Sequence, residues 1–345
     1  MKRVRVLIVD DSLFMRAAIK KILAADPRIE VVGEAKDGAE AVTRAAALRP
    51  DVITMDFNMP NLDGPGAVRR ILATAPIPVV MLSAHTTDGA RETFEALNAG
   101  AVDFLAKPSG EVSADFSRIK GKLLEKVLAA AEARPRELAP LPARTAKVRM
   151  DSINSTWPPT GPRVVVVAIS TGGPAALGRF LPALPADTKF AMIIVQHMPE
   201  GFTARLAERL DALSAIQVRE AKDGDRPRQG RALIAPGDRH LEIDSSGFIR
   251  LTDGPEVHGC RPAADITMAS VARAFGRRAV GLVMTGMGKD GTEGLGAIKA
   301  AGGATFAQDQ TSSVIFGMPK VAIEAGVVDE VAALDDLAPL LVERL

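Results

Sequence analysis

Short, unbroken apolar runs alternate with amphipathic stretches in two successive parts of this chain. In the first part, Val4–Val9 is an apolar run of strand length and Phe14–Ala25 carries its apolar residues at helical spacing. The alternation continues through a strand at Ile29–Ala35, a helix at Ala39–Leu48, and strands at Val52–Met55, Val79–Ser83 and Ala101–Leu105. Five strands with intervening helices predict a doubly wound parallel sheet. The second part repeats the style. Strands at Val164–Ile169, Met192–Gln196, Ala232–Ala235, Val280–Met284 and Gly303–Ala307 alternate with helices at Pro174–Phe180, Thr203–Leu213, Ile266–Phe275 and Gly291–Ala300. The stretch His240–Leu251, turning at Ser245-Ser246-Gly247, reads as an antiparallel hairpin.

Between the two parts the pattern breaks. Residues 121–162 begin as a helical stretch, LLEKVLAAAEA, then lose periodicity at Pro135. Six prolines (Pro135, Pro140, Pro142, Pro158, Pro159 and Pro162) and a local net charge of +3 make this piece read as a linker. The expected organisation is therefore an α/β domain at 1–120, a linker at 121–162 and a second α/β domain at 163–345, which suits a length of 345 residues.

Composition narrows the function classes. Hydrophobic residues at 47% and charged residues at 25% are globular values that exclude general disorder. With 43 basic and 42 acidic residues the chain has no global field to recruit nucleic acid or an anionic membrane. A single cysteine, Cys260, cannot form an internal disulfide or a cysteine-based metal cluster. No stretch approaches the ~20 apolar residues of a membrane span. The apolar run in MKRVRVLIVDDS is too short for a signal-peptide core, so a soluble, cytoplasmic protein is expected.

In an open parallel sheet, chemistry collects beyond the carboxyl ends of the strands. In the first domain Asp10, Asp11, Asp56, Ser83 and Lys107 all fall at predicted strand ends, with Pro108 behind the lysine. Taken singly, Asp10-Asp11 reads as a helix cap, Asp56 as the start of a turn and Lys107 as a solvated charge. Together they form a set that a hard cation such as Mg²⁺ would reconcile. The set suits transfer of a phosphoryl group onto a carboxylate. Residues 1–120 resemble a response-regulator receiver domain, through VDDS, MDFNMPNLDG, SAHTTDGA and GAVDFLAKP in that order. The resemblance implies a flavodoxin-like sheet in which Asp56 accepts phosphate from a histidine kinase. It implies Mg²⁺ held by Asp10, Asp11, Asp56 and the backbone of Asn58. Ser83, Phe104 and Lys107 take its switch positions, with Phe104 where a tyrosine often stands. His85 reads as a surface loop residue.

In the second domain, Ser170 follows one strand, His197 the next, and Asp290 lies in TGMGKDG after a third. A hydroxyl, an imidazole and a carboxylate delivered to one sheet edge suit nucleophilic acyl transfer, with backbone N–H groups in glycine-rich turns for the oxyanion. The residues leave other readings open. The turn ISTGGP could cradle a nucleotide phosphate, although it lacks the G-x-G-x-x-G spacing. His240 and His258 are rival bases, and Cys260 is a rival nucleophile if a base lies beside it.

Residues 163–345 resemble the catalytic domain of the chemotaxis protein-glutamate methylesterases, through AISTGGP, VQHMP followed by GFT, APGDRHLEI, RPAADI and MTGMGKDG. The resemblance implies a Rossmann-like domain with Ser170, His197 and Asp290 as the triad. Thr171 and the backbone near Met287 become the oxyanion or substrate-positioning elements. It further implies a phosphorylation-activated hydrolase with no cofactor for the hydrolysis itself. The expected substrates are methylated glutamates on the cytoplasmic helices of methyl-accepting chemoreceptors, which would be demethylated with release of methanol, and receptor glutamines, which would be deamidated. No partnership with nucleic acid and no direct membrane insertion are expected. The rival is a receiver controlling a DNA-binding or nucleotide-binding output without hydrolase activity. Against it, residues 163–345 carry a net charge of −2 and show no helix-turn-helix-like pair.

Overall fold

The structure, a computed structural model, describes residues 2–84, 95–107, 114–133 and 162–345, with backbone alone at 84 and 114–118. His85, Pro108, the linker prolines from Pro135 to Pro159 and most of the SAHTTDGA segment lie outside the described residues. The chain divides into two compact units, residues 1–139 and 140–345.

The first unit is a five-stranded parallel sheet of β1 (Val4–Val9), β2 (Ile29–Ala35), β3 (Val52–Asp56), β4 (Val79–Ala84) and β5 (Asp103–Lys107), in the order β2-β1-β3-β4-β5. Its helices Leu13–Ala24, Gly38–Leu48 and Gly64–Thr74 start where Ser12, Asp37 and Asp63 accept the N–H of Met15, Glu40 and Gly66. Gly64–Thr74 is not among the predicted elements, although its Ala67, Val68 and Ile71 are buried at helical spacing. β5 begins two residues later than Ala101, so Lys107 is its last residue, and Asp56 likewise closes β3. A larger correction concerns LLEKVLAAAEA. It belongs to the helix Ala114–Glu132, whose Leu123, Val127 and Ala130 are buried and which packs on β3, β4 and β5. The boundary placed at residue 121 therefore falls inside a helix of the first unit.

The second unit holds a seven-stranded parallel sheet of β6 (Val164–Ile169), β7 (Ala191–Gln196), β8 (Gln217–Glu220), β9 (Arg231–Ile234), β12 (Ala279–Val283), β13 (Ala304–Gln308) and β14 (Glu330–Ala332). Their order is β14-β13-β12-β6-β7-β9-β8. β10 (His240–Ile243) and β11 (Ile249–Thr252) form the antiparallel hairpin, with Leu241 opposite Leu251. β8 and β14 carry no apolar run because each is an edge strand covered on one side only. Every residue of β6, β7 and β12 is buried. From β6 the chain moves to β7 on one side and later returns to β12 on the other, which makes the carboxyl end of β6 a topological switch point.

Candidate active site and carboxylate pocket

The carboxylate pocket of the first unit is assembled by the ends of β1, β3 and β5. Asp10 is fully buried, and its Oδ1 accepts the Ser12 N–H at 3.0 Å. The Lys107 ammonium bridges Asp10 Oδ2 at 2.8 Å and Asp56 Oδ1 at 2.7 Å. Burial raises the Asp56 carboxyl to about 6, with the Lys107 charge pulling the other way. Burial also works against the charge on Lys107, yet Asp56 and Asp10 hold it above the ordinary lysine range. Asp10, Asp11 and Asp56 each offer an oxygen within 4.8 Å of the others. An all-oxygen set of this kind fits a hard divalent cation. Ser83 and Phe104 are buried on the neighbouring strands β4 and β5, and Asn58 is exposed in the loop after β3.

In the second unit, β6 ends at Ile169 and delivers Ser170 to a tight turn. Ser170 O accepts the Gly173 N–H at 2.8 Å, and Gly172 between them has φ +78° with Val314 packed against it, which only glycine tolerates. Pro174 sits in the first turn of the helix Gly173–Phe180. β7 pairs with β6 through Ile169 and Gln196, so Ser170 and His197 leave adjacent strands side by side. His197 Nε2 lies 2.7 Å from Asp290 Oδ2. Asp290 is 2% exposed, and its carboxylate also accepts the N–H of Ala264 at 2.6 Å and of Asp265 at 3.0 Å. Burial opposes the charge on Asp290, but the His197 bond and these amides keep its carboxyl below the usual range. Burial likewise opposes the imidazolium, yet the Asp290 and Cys260 contacts hold His197 above the ordinary histidine range. With Asp290 on Nε2, that nitrogen carries the proton and Nδ1 is the basic one. Among the described residues, the Ser170 hydroxyl makes no hydrogen bond to the ring. Nδ1 instead lies 3.6 Å from Cys260 Sγ.

The loop after β12 runs beside the serine, with Gly286 directly against Ser170 Cβ. The Ser170 N–H is taken by Thr285 O and the Gly286 N–H by Ile315 O, both at 3.0 Å. The Met287 N–H has no acceptor among the described residues. Thr171 is buried, and its carbonyl accepts the Thr285 hydroxyl at 2.9 Å.

A family model described as CheB methylesterase matches residues 165–341, and one described as response regulator receiver domain matches residues 6–114. The chain belongs to the CheB methylesterase family. A relative from Symbiobacterium thermophilum, named protein-glutamate methylesterase/protein-glutamine glutaminase, is 47% identical over 97% of this chain and 95% of its own length. One of the same name from Thermotoga maritima is 42% identical over 99% of this chain and 98% of its own. The crystal structure of the Thermotoga maritima CheB methylesterase catalytic domain matches with a TM-score of 0.53 and 39% identity, covering 54% of this chain and all (100%) of that one.

The CheB fold brings His197 and Asp290 into contact and sets Ser170 beside them. Of the rival bases, His240 has its ring nitrogens on backbone groups, while His258 lies within 4.8 Å of the Asp290 carboxylate. His240 is buried, with Nε2 donating to Pro255 O at 2.9 Å and Nδ1 accepting the Ala263 N–H at 3.2 Å, a structural role. His258 Nε2 pairs with Asp265 Oδ2 at 3.1 Å. Sequence reasoning missed Asp265, although it stands in the quoted RPAADI. The ring beside the Cys260 thiol is that of His197, which lies 63 residues away in sequence.

Proposed function

We infer that this chain is a receiver-controlled protein-glutamate methylesterase that also deamidates glutamine side chains. The reading rests on family membership over nearly the whole chain, and the observation that carries its chemistry is the His197–Asp290 pair beside Ser170 at the switch point of the sheet. Ser170 Oγ attacks the γ-carbonyl of the methylated glutamate while His197 Nδ1 takes its proton. Asp290 holds the Nε2–H and stabilises the imidazolium. The tetrahedral oxyanion is held by the Met287 N–H and the Thr171 turn. The imidazolium then returns the proton to the leaving oxygen, and methanol departs from an acyl-enzyme. Water, deprotonated by the same nitrogen, attacks the acyl carbonyl and frees the glutamate and Ser170. With a glutamine side chain the leaving group is ammonia.

In the receiver unit, Asp56 is the phosphate acceptor. Asp10, Asp11, Asp56 and the Asn58 backbone would hold Mg²⁺, which would neutralise charge on the incoming phosphoryl group. Lys107 and Ser83 hold the phosphoryl oxygens, and Phe104 repacks in response. The partners are a histidine kinase and the cytoplasmic helices of methyl-accepting chemoreceptors, which places the protein in the cytoplasm. Methanol release from a methylated receptor fragment, measured for the full chain and for Ser170→Ala with and without a small phosphodonor, tests both halves. A folded Ser170→Ala variant with undiminished release removes Ser170 as the nucleophile.

A further inference from the structure

The basic nitrogen of the catalytic histidine is engaged by a thiol. Cys260 Sγ lies 3.6 Å from His197 Nδ1 and 3.7 Å from the carbonyl oxygen of His258. One thiol proton thus has two acceptors within reach. With the ring neutral, S–H donates to the Nδ1 lone pair. With the ring protonated, S–H turns to the His258 carbonyl and the sulfur accepts from Nδ1–H. A thiol is weak in both roles, so it holds the ring without competing strongly with an incoming serine hydroxyl. We propose that Cys260 is a positioning residue of this esterase: its thiol holds His197 Nδ1 on the side opposite Asp290 and releases it to Ser170 when the ester binds. The assignment rests on the triad reading. It accounts for the absence of a Ser170–His197 hydrogen bond in a site whose other contacts are in place, since apo sites often tighten only with substrate. Among the described residues, Asp290, Asp265, His258 and Glu293 are ionisable groups near the pair, the last 4.0 Å from His258.

Two measurements on the full chain separate this from a packing role. Cys260 is the chain's single cysteine, so iodoacetamide alkylation followed by mass spectrometry reads it alone. His197→Gln should change its alkylation rate at neutral pH about tenfold, because the ring in contact with the thiol is removed. Methanol release from a synthetic peptide bearing a glutamate γ-methyl ester supplies the second. Cys260→Ala should lower kcat about threefold to tenfold, the size of one neutral hydrogen bond, with KM within about twofold. The acid limb of its kcat/KM profile should move to lower pH, because the thiol contact raises His197. Cys260→Ser, which can still donate and accept, should recover most of the loss. An unmoved limb, or alkylation indifferent to His197→Gln, overturns the proposal. With Ser170→Ala as the control, an inactive serine variant beside an unaltered Cys260→Ala variant removes the positioning role and leaves the triad. An active Ser170→Ala beside an inactive Cys260→Ala makes the thiol the nucleophile and removes both.

Discussion

Asp290 and Asp265 cap each other's helices. The Asp290 carboxylate accepts the N–H groups of Ala264 and Asp265 at the start of the helix Ala264–Phe275, while Asp265 Oδ1 accepts those of Gly291 at 2.9 Å and Gly294 at 2.7 Å, at the start of the helix Thr292–Ala300. Neither helix is capped by its own N-cap side chain, since those positions are Ala263 and Gly291. Each carboxylate thereby satisfies two buried donors and sits at the positive end of a helix dipole. The carboxylate that orients His197 is held by the same clasp that joins the two helices.

Asp265→Ala should therefore destabilise the protein by about 2–4 kcal/mol, because two buried N–H groups lose their acceptor. Asp265→Asn keeps one oxygen for both amides and should cost less than about 1 kcal/mol. Burial raises the Asp265 carboxyl to about 6, from 3.8. Its ionisation is thus unfavourable in the folded state, and stability should fall as pH rises from 3.8 through 6, a slope that Asp265→Asn should flatten. Urea unfolding at several pH values measures both effects.

Asp290→Asn should lower kcat about 10⁴-fold while leaving KM within a few-fold, because the amide favours the wrong imidazole tautomer. Ser170→Ala should lower it at least as far and leave stability near wild type. Methanol release alongside thermal unfolding separates loss of chemistry from loss of fold.

In the proposed mechanism His197 must be neutral to take the serine proton, and its contacts raise it above the ordinary histidine value of 6.5. The kcat/KM profile should accordingly rise with pH along a limb centred above 6.5. Linkage gives the matching stability effect: the stabilisation from the protonated ring is fully present below 6.5 and is lost as pH rises through the folded value. A profile centred below 6.5 would contradict the observed environment of the ring.

Asp56→Asn should abolish stimulation of methanol release by a phosphodonor and leave the unstimulated rate unchanged. Asp56 titrates near 6, so protons should compete with Mg²⁺ below that pH, and calorimetric Mg²⁺ affinity should fall as pH drops from 7 to 5 by up to about tenfold per unit. Lys107→Ala should raise the pH at which this loss begins, because it removes the cation that pulls Asp56 down.

Much of the fold was legible because the central strands are apolar along their whole length. VVVVAI in β6 and AMIIVQ in β7 are buried at every position, and a run of that kind has few alternatives once glycine and proline follow it. The edge strands β8 and β14 were illegible for the complementary reason: QVRE and EVA pack on one side only and carry no distinguishing period. The helix Ala114–Glu132 was visible, but its allegiance was not. Whether Leu123, Val127 and Ala130 face a sheet or a linker depends on what stands opposite them.

The sequence by itself determined the sheet class and the strand ends at which reactive side chains emerge, because both follow from local apolar runs and the turn residues that stop them. It also determined the family, through ordered motifs along nearly the whole chain. Only the tertiary structure decided which side chains meet. The Asp265–Asp290 clasp links residues 25 or more positions apart, and the Cys260–His197 contact spans 63. Such pairings arise where strand ends and helix starts converge at the switch point, and no local periodicity encodes them.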